Sequence, residues 1–163
     1  MAQYFGKYRG TVLDNADPMK IGRVRAKVPD VPAATAWAMP CVPFAGPHAG
    51  LFAVPPIGAG VWIEFERGDP AHPIWTGGFW NSAAELPAPL ASPGQSIVLQ
   101  TAGQNALVIS DAPGPAGGIV LKSTAGAMIS ISNVGITIAN GQGATIVLLG
   151  PTVDVNEGAL TVV

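Results

Sequence analysis

The stretch Gly118 to Leu149, GIVLKSTAGAMISISNVGITIANGQGATIVLL, decides the architecture of the chain. Two aliphatic residues flank a single intervening residue in Ile119/Leu121, Ile129/Ile131, Ile136/Ile138 and Ile146/Leu148, and small turn-forming residues separate the pairs. Side chains two apart on an extended strand point the same way, so each pair marks a short strand with one apolar side. The motif runs on in both directions. Ile97/Leu99 and Leu107/Ile109 precede it, and Val153/Val155 and Leu160/Val162 follow. Eight pairs thus fall within residues 97–163, their starts 10, 12, 10, 7, 10, 7 and 7 residues apart. That is the quasi-period of an internal repeat whose longer steps hold extra Gly, Pro or Asn. Turns such as Thr124-Ala-Gly126 and Asn140-Gly-Gln-Gly143 follow most pairs, so each unit reads as a strand followed by a corner.

A ribbon of such units has one greasy stripe and free edges, and it cannot bury the stripe alone. Stacking is the remedy, either on neighbours in the same chain or on identical chains around a threefold axis. The units are too short for a single-chain solenoid of more than two or three coils, which favours an interwound trimer. The residues expected at its axis are Ile119, Leu121, Ile129, Ile131, Ile136, Ile138, Ile146, Leu148, Val153 and Val155. Between the pair members lie Val98, Val108, Val120, Ser130, Thr137, Val147, Asp154 and Thr161, which become more polar toward the C-terminus as a solvent-facing side should. Eight strands stacked at about 4.8 Å give a rod about 40 Å long.

The other half has a different character. Of 18 charged residues, 14 lie within residues 1–90, and only Asp111, Lys122, Asp154 and Glu157 lie beyond. The boundary is Glu85-Leu-Pro-Ala-Pro-Leu-Ala-Ser-Pro-Gly94, whose three prolines lock φ and make a stiff linker. The expected division is residues 1–84 as a barrel, 85–96 as linker and 97–163 as a β-helical needle. Short strands are predicted over Lys7–Asn15, Ile21–Asp30, Met39–Ala45, Val61–Arg67 and Ile74–Trp80, with turns at Ala16–Lys20 and Gly68-Asp69-Pro70. In the second strand Ile21, Arg23, Arg25 and Lys27 alternate with Val24, Ala26 and Val28, the period of a half-buried strand. Five short strands without a credible helix suggest a small closed barrel.

Composition agrees with an all-β chain. Gly and Pro make 37 of 163 residues, 48% are hydrophobic and 11% charged, too apolar for disorder and too broken for long helices. The net charge of −2 gives no global attraction to nucleic acid or an anionic membrane. No aliphatic run reaches the length of a membrane span, and residues 1–10 lack the apolar core of a secretory signal. Cys41 is the only cysteine, so no intrachain disulfide forms and folding in a reducing cytoplasm fits.

Lys7–Asp30, the segment Pro55–Pro70 with its GxxVxxxFxxGDP pattern from Gly58, and Pro73-Ile-Trp-Thr-Gly-Gly78 resemble the OB-fold domain of contractile-tail spike proteins. That family includes phage baseplate assembly protein V and the valine-glycine-repeat spikes of type VI secretion, and the repeats after residue 97 resemble its triple-stranded β-helix. The resemblance implies a homotrimeric central spike of a phage tail or related injection particle, assembled in the bacterial cytoplasm into a baseplate. It also implies OB domains under a hub and a needle that makes transient, puncturing contact with the target envelope. This chain has no room for hub domains, so the hub is expected as a separate protein. Some relatives end in a tip holding iron through a His-x-His motif, which is absent here. The apolar end Leu160-Thr-Val-Val163 instead predicts contact of Leu160, Val162 and Val163 with a separate PAAR-type tip protein.

Other candidates resolve to structure. Trp62, Phe65, Trp75, Phe79 and Trp80 could stack bases or sugars, but barrel core and trimer interface explain them better. Arg23, Arg25 and Lys27 read as a solvated or hub-contacting edge. Asp14, Asp17 and Asp30 read as turn caps. His48 and His72 are loop residues without a second ligand type nearby, and Cys41 reads as a small buried hydrophobe. Gly141-x-Gly143 lacks the third glycine of a dinucleotide fingerprint. No catalytic, cofactor or metal site is expected, and the runner-up function is a carbohydrate-binding tail-tip or fibre adhesin.

Overall fold

The computed structural model describes residues 2–87 and 95–162. The chain divides into two units, residues 1–85 and 86–163. Most of the expected linker, residues 88–94, lies outside the described residues, as does Val163.

The first unit is built from β1 (Tyr8–Asp14), β2 (Arg25–Lys27), β3 (Met39–Pro40), β4 (Ala45–Gly46), β5 (Ala49–Gly50), β6 (Gly60–Phe65) and β7 (Pro73–Phe79). Its main sheet runs β2-β1-β6-β7-β3. All neighbours are antiparallel except β3 and β7. A bridge between Val24 and Ala38 joins the two outermost strands and closes the sheet on itself. The result is a five-stranded barrel of the OB kind. Val12, Val24, Val31, Val61 and Ile63 are fully buried inside it, with Phe65 and Trp75 beside them. The Trp75 ring fills the barrel while its Nε1–H donates to the Gly22 carbonyl at 3.0 Å, so the buried indole leaves no donor unpaired.

Two predicted strands in this unit are altered by local chemistry. Ile21–Asp30 shrinks to β2 and the Val24 bridge because Asp17 takes the N–H groups of Met19, Ile21 and Arg23 and curls residues 17–23 into a turn. Met39–Ala45 breaks after Pro40, since Pro40 and Pro43 cannot donate to a ladder. Ala45 instead opens the small hairpin β4–β5, a piece the sequence reading did not contain. Cys41 is exposed and not buried as expected. It lies just beyond β3, with its N–H donating to the Trp75 carbonyl at 2.9 Å. The segment 31–38 folds onto its own barrel through Val31, Ala34 and Ala38.

The second unit is one sheet of β8 (Ser96–Gln100), β9 (Ala106–Ser110), β10 (Gly118–Lys122), β11 (Met128–Ile131), β12 (Ile136–Ala139), β13 (Thr145–Leu149), β14 (Thr152–Val155) and β15 (Leu160–Val162). Each strand pairs with its sequence neighbours, and every pair is antiparallel. The expected corners are therefore chain reversals, and the strand edges are paired largely within the chain. Side-chain caps explain why the turns reverse. Asn140 Oδ1 accepts the N–H groups of Gln142 and Ala144 at 2.8 and 3.0 Å, and Ser123 Oγ accepts that of Ala127 at 3.1 Å. Gly118 shows how tightly the strands meet: at φ +96°, a Cβ there would land on the Ile131 carbonyl oxygen.

Candidate functional site: a two-column apolar face

The in-phase register of the second unit turns eight aliphatic pairs into two unbroken columns on one face. Ile97, Ile109, Ile119, Ile131, Ile136, Leu148, Val153 and Val162 face one another strand by strand in the first. Leu99, Leu107, Leu121, Ile129, Ile138, Ile146, Val155 and Leu160 form the second. Both columns hold because no strand slips by a residue, which would turn its aliphatic pair to the opposite face. Val98, Val108, Val120, Ser130, Thr137, Val147 and Asp154 alternate out of phase and occupy the other face.

The described residues leave these columns uncovered. Twelve of the sixteen residues are exposed, up to 65% for Ile97, and Leu107, Ile136, Val153 and Val155 are half-buried. All ten expected axis residues lie in the columns, as do the expected tip contacts Leu160 and Val162, while Val163 lies outside the described residues. Lys122 and Asp154, two of the few charges in this half, sit out of phase with the columns. A contiguous, uncharged aliphatic face of this extent on a single chain is an association surface.

Two family models match. Residues 96–161 match the phage baseplate V C-terminal trimerisation domain. Residues 8–80 match the type VI secretion system/phage-baseplate injector OB domain. The chain belongs to the phage baseplate V spike family. No curated protein matches it. As a member of that family the chain has a structural role related to the phage baseplate or the type VI injector, and its trimerisation domain supports a homotrimer.

Within the spike's OB unit the aromatic residues do not converge on one platform. Phe65 and Trp75 are core, with Tyr4 and Tyr8 packed on Phe65 at ring separations of 6.0 and 5.5 Å. Trp62 and Phe79 contact each other at 4.8 Å, and the Arg9 guanidinium lies over both rings. Trp80, the next residue after Phe79, is exposed. His72 faces Asp69 at 3.3 Å, whereas His48 occupies the β4–β5 turn. Among the described residues no three His, Cys, Asp or Glu side chains gather where a metal could sit.

The basic edge also divides. Arg23 is committed to Asp17 through Nε and a terminal nitrogen at 2.9 and 2.7 Å, and its guanidinium lies 5.6 Å from the Trp37 ring centre. Arg25 and Lys27 remain exposed on β2. The Arg23 guanidinium, helped by the N–H groups of Ile21, Met19 and Arg23, holds the Asp17 carboxyl well below the ordinary 3.8 against the opposing effect of burial. The unfolded chain then binds the proton more readily than the folded barrel, so this contribution to stability is present in full well above the ordinary carboxylate pKa of about 3.9 and is lost as the pH falls through and below it. The melting temperature of the barrel is expected to fall on acidification. In Asp17→Asn the barrel melts several degrees lower at neutral pH, and its acid-dependent loss is smaller. Melting curves across the acidic range read both effects.

Proposed function

We propose that three copies of this chain form the central spike of a contractile injection particle, with the barrels toward the tube and the sheets joined into a puncturing needle. The two uninterrupted aliphatic columns carry the reading. Each sheet brings an apolar face to the axis, and the right-handed twist of β-sheets winds three of them about one another. The spike is non-enzymatic. Its work is to transmit an axial push through a dry, closely packed interior, which resists deformation because interdigitated aliphatics leave little free volume.

A hub protein holds the barrel end, which fits the exposed Arg25 and Lys27 and the apolar residues near them. In the second unit β15 pairs on one side only, and Leu160 and Val162 are exposed. A PAAR-type tip protein covers this edge and shields it from pairing with other chains. The chain is made in the bacterial cytoplasm and built into the baseplate there.

Electron cryomicroscopy of particles carrying a tagged copy tests the assignment. The tag is expected on the particle axis below the tube, in three symmetric copies, and the purified chain is expected to show no saturable binding on a glycan array. Peripheral tag density with specific glycan binding would move the chain to the adhesin class.

A further inference from the structure

The antiparallel meander places its turns in two rows. One row holds Thr101–Asn105, Ser123–Ala127, Asn140–Ala144 and Asn156–Ala159, and the other holds residues 111–117, 132–135 and 150–151. A threefold axis along the columns presents every copy in the same orientation. Each of the three seams must therefore join the first row of one copy to the second row of its neighbour, a heterologous contact.

The two rows are complementary at one level. In the second row, the turn between β11 and β12 carries Val134, which is 50% exposed and belongs to neither column. It stands in the bend two residues before Ile136, at the strand ends where Ile131 faces Ile136. Beside the first row an open concavity is lined by Leu121, Met128, Ile129, Ile138 and Ala139, with Lys122 and Ser123 at its turn side. The first five lie on β10, β11 and β12, the strands level with the Val134 turn. Leu121, Ile129 and Ile138 belong to the second column, so the concavity is the margin of that column beside the first row, and Val134 stands at the margin of the first column beside the second row.

We infer that Val134 of each copy seats in the concavity of the next copy, so that three identical knob-and-hollow seams close the prism and fix which edge meets which. This rests on the trimeric reading above and adds the pairing of edges to it. Within one chain residues 134 and 139 lie at opposite ends of β12, whose length is on the order of 10 Å. Across the seam they are neighbours.

The test uses the intact chain carrying Cys41→Ser, Val134→Cys and Ala139→Cys, treated with a bifunctional thiol linker too short to span one sheet. The expected result is conversion to a species of three times 16.5 kDa on a denaturing gel, with Val134→Cys alone giving no such species. A particle that light scattering shows to be trimeric, but whose chains stay single after the linker, overturns the seam and leaves the trimer standing. A chain that is monomeric before the linker is added overturns the trimer reading and the seam with it. Val134→Arg in the otherwise native chain gives a second readout. A seated valine makes this trimer melt at a clearly lower temperature, and an unchanged melting temperature contradicts the seam.

Discussion

Ile131→Asp is expected to abolish assembly. Ile131 stands in the middle of the first column, between Ile119 on β10 and Ile136 on β12. In three chains joined at that face the substitution brings three carboxylates together in an aliphatic interior with no cation in either column to pair them. Each uncompensated buried charge costs several kcal/mol even after relaxation, and the three also repel one another. Light scattering should report monomers and irregular aggregates in place of the trimer. Acidification should restore part of the assembly, because burial raises a carboxyl pKa and the neutral acid is far easier to bury. Ile131→Val is the control: it removes one methylene per copy, costs about 0.5–1.5 kcal/mol each, and should leave the trimer intact.

The second large effect is the removal of residues 95–163. The barrel has its own core of Val12, Val24, Val31, Val61, Ile63 and Trp75, so it should still fold. It loses the columns, and with them the surface that holds copies together. The shortened chain is expected to run as a monomer and to melt at an ordinary temperature, whereas the intact chain resists heat because its unfolding is coupled to dissociation. Calorimetry of the two forms at matched chain concentration reads the difference.

The second half was open to sequence reading because period-two patterning is a direct record of which side of a strand is dry. The eight pairs lie on eight strands, and their register lines up without a bulge. Spacing alone could not distinguish a corner from a reversal. That choice is made by the side chains at turn entry, Asn140 and Ser123, whose capping of backbone N–H groups was present in the sequence as Asn and Ser ahead of Gly. Val134 escaped notice because a single valine between Asn133 and Gly135 matches no repeat, and its position at a seam exists only once the strand order is known.

The barrel was less open for reasons of long-range contact. The alternation of Val24, Ala26 and Val28 was visible, but Asp17 drawing in Ile21 and Arg23 involves partners four and six residues away, which a strand pattern does not encode. The parallel pairing of β3 with β7 joins segments more than thirty residues apart. Trp75 was read together with Trp62, Phe65, Phe79 and Trp80 as barrel core or trimer interface, without a way to tell which of the five is core. Its core position and its bond to Gly22 depend on the barrel being closed.

The mass of the purified, intact chain in dilute solution tests the central claim most directly. Multi-angle light scattering over a wide dilution series is expected to give three times 16.5 kDa at every concentration. A well-folded 16.5 kDa particle persisting across the series would mean that the aliphatic columns are covered in some other way, and the spike reading would be lost.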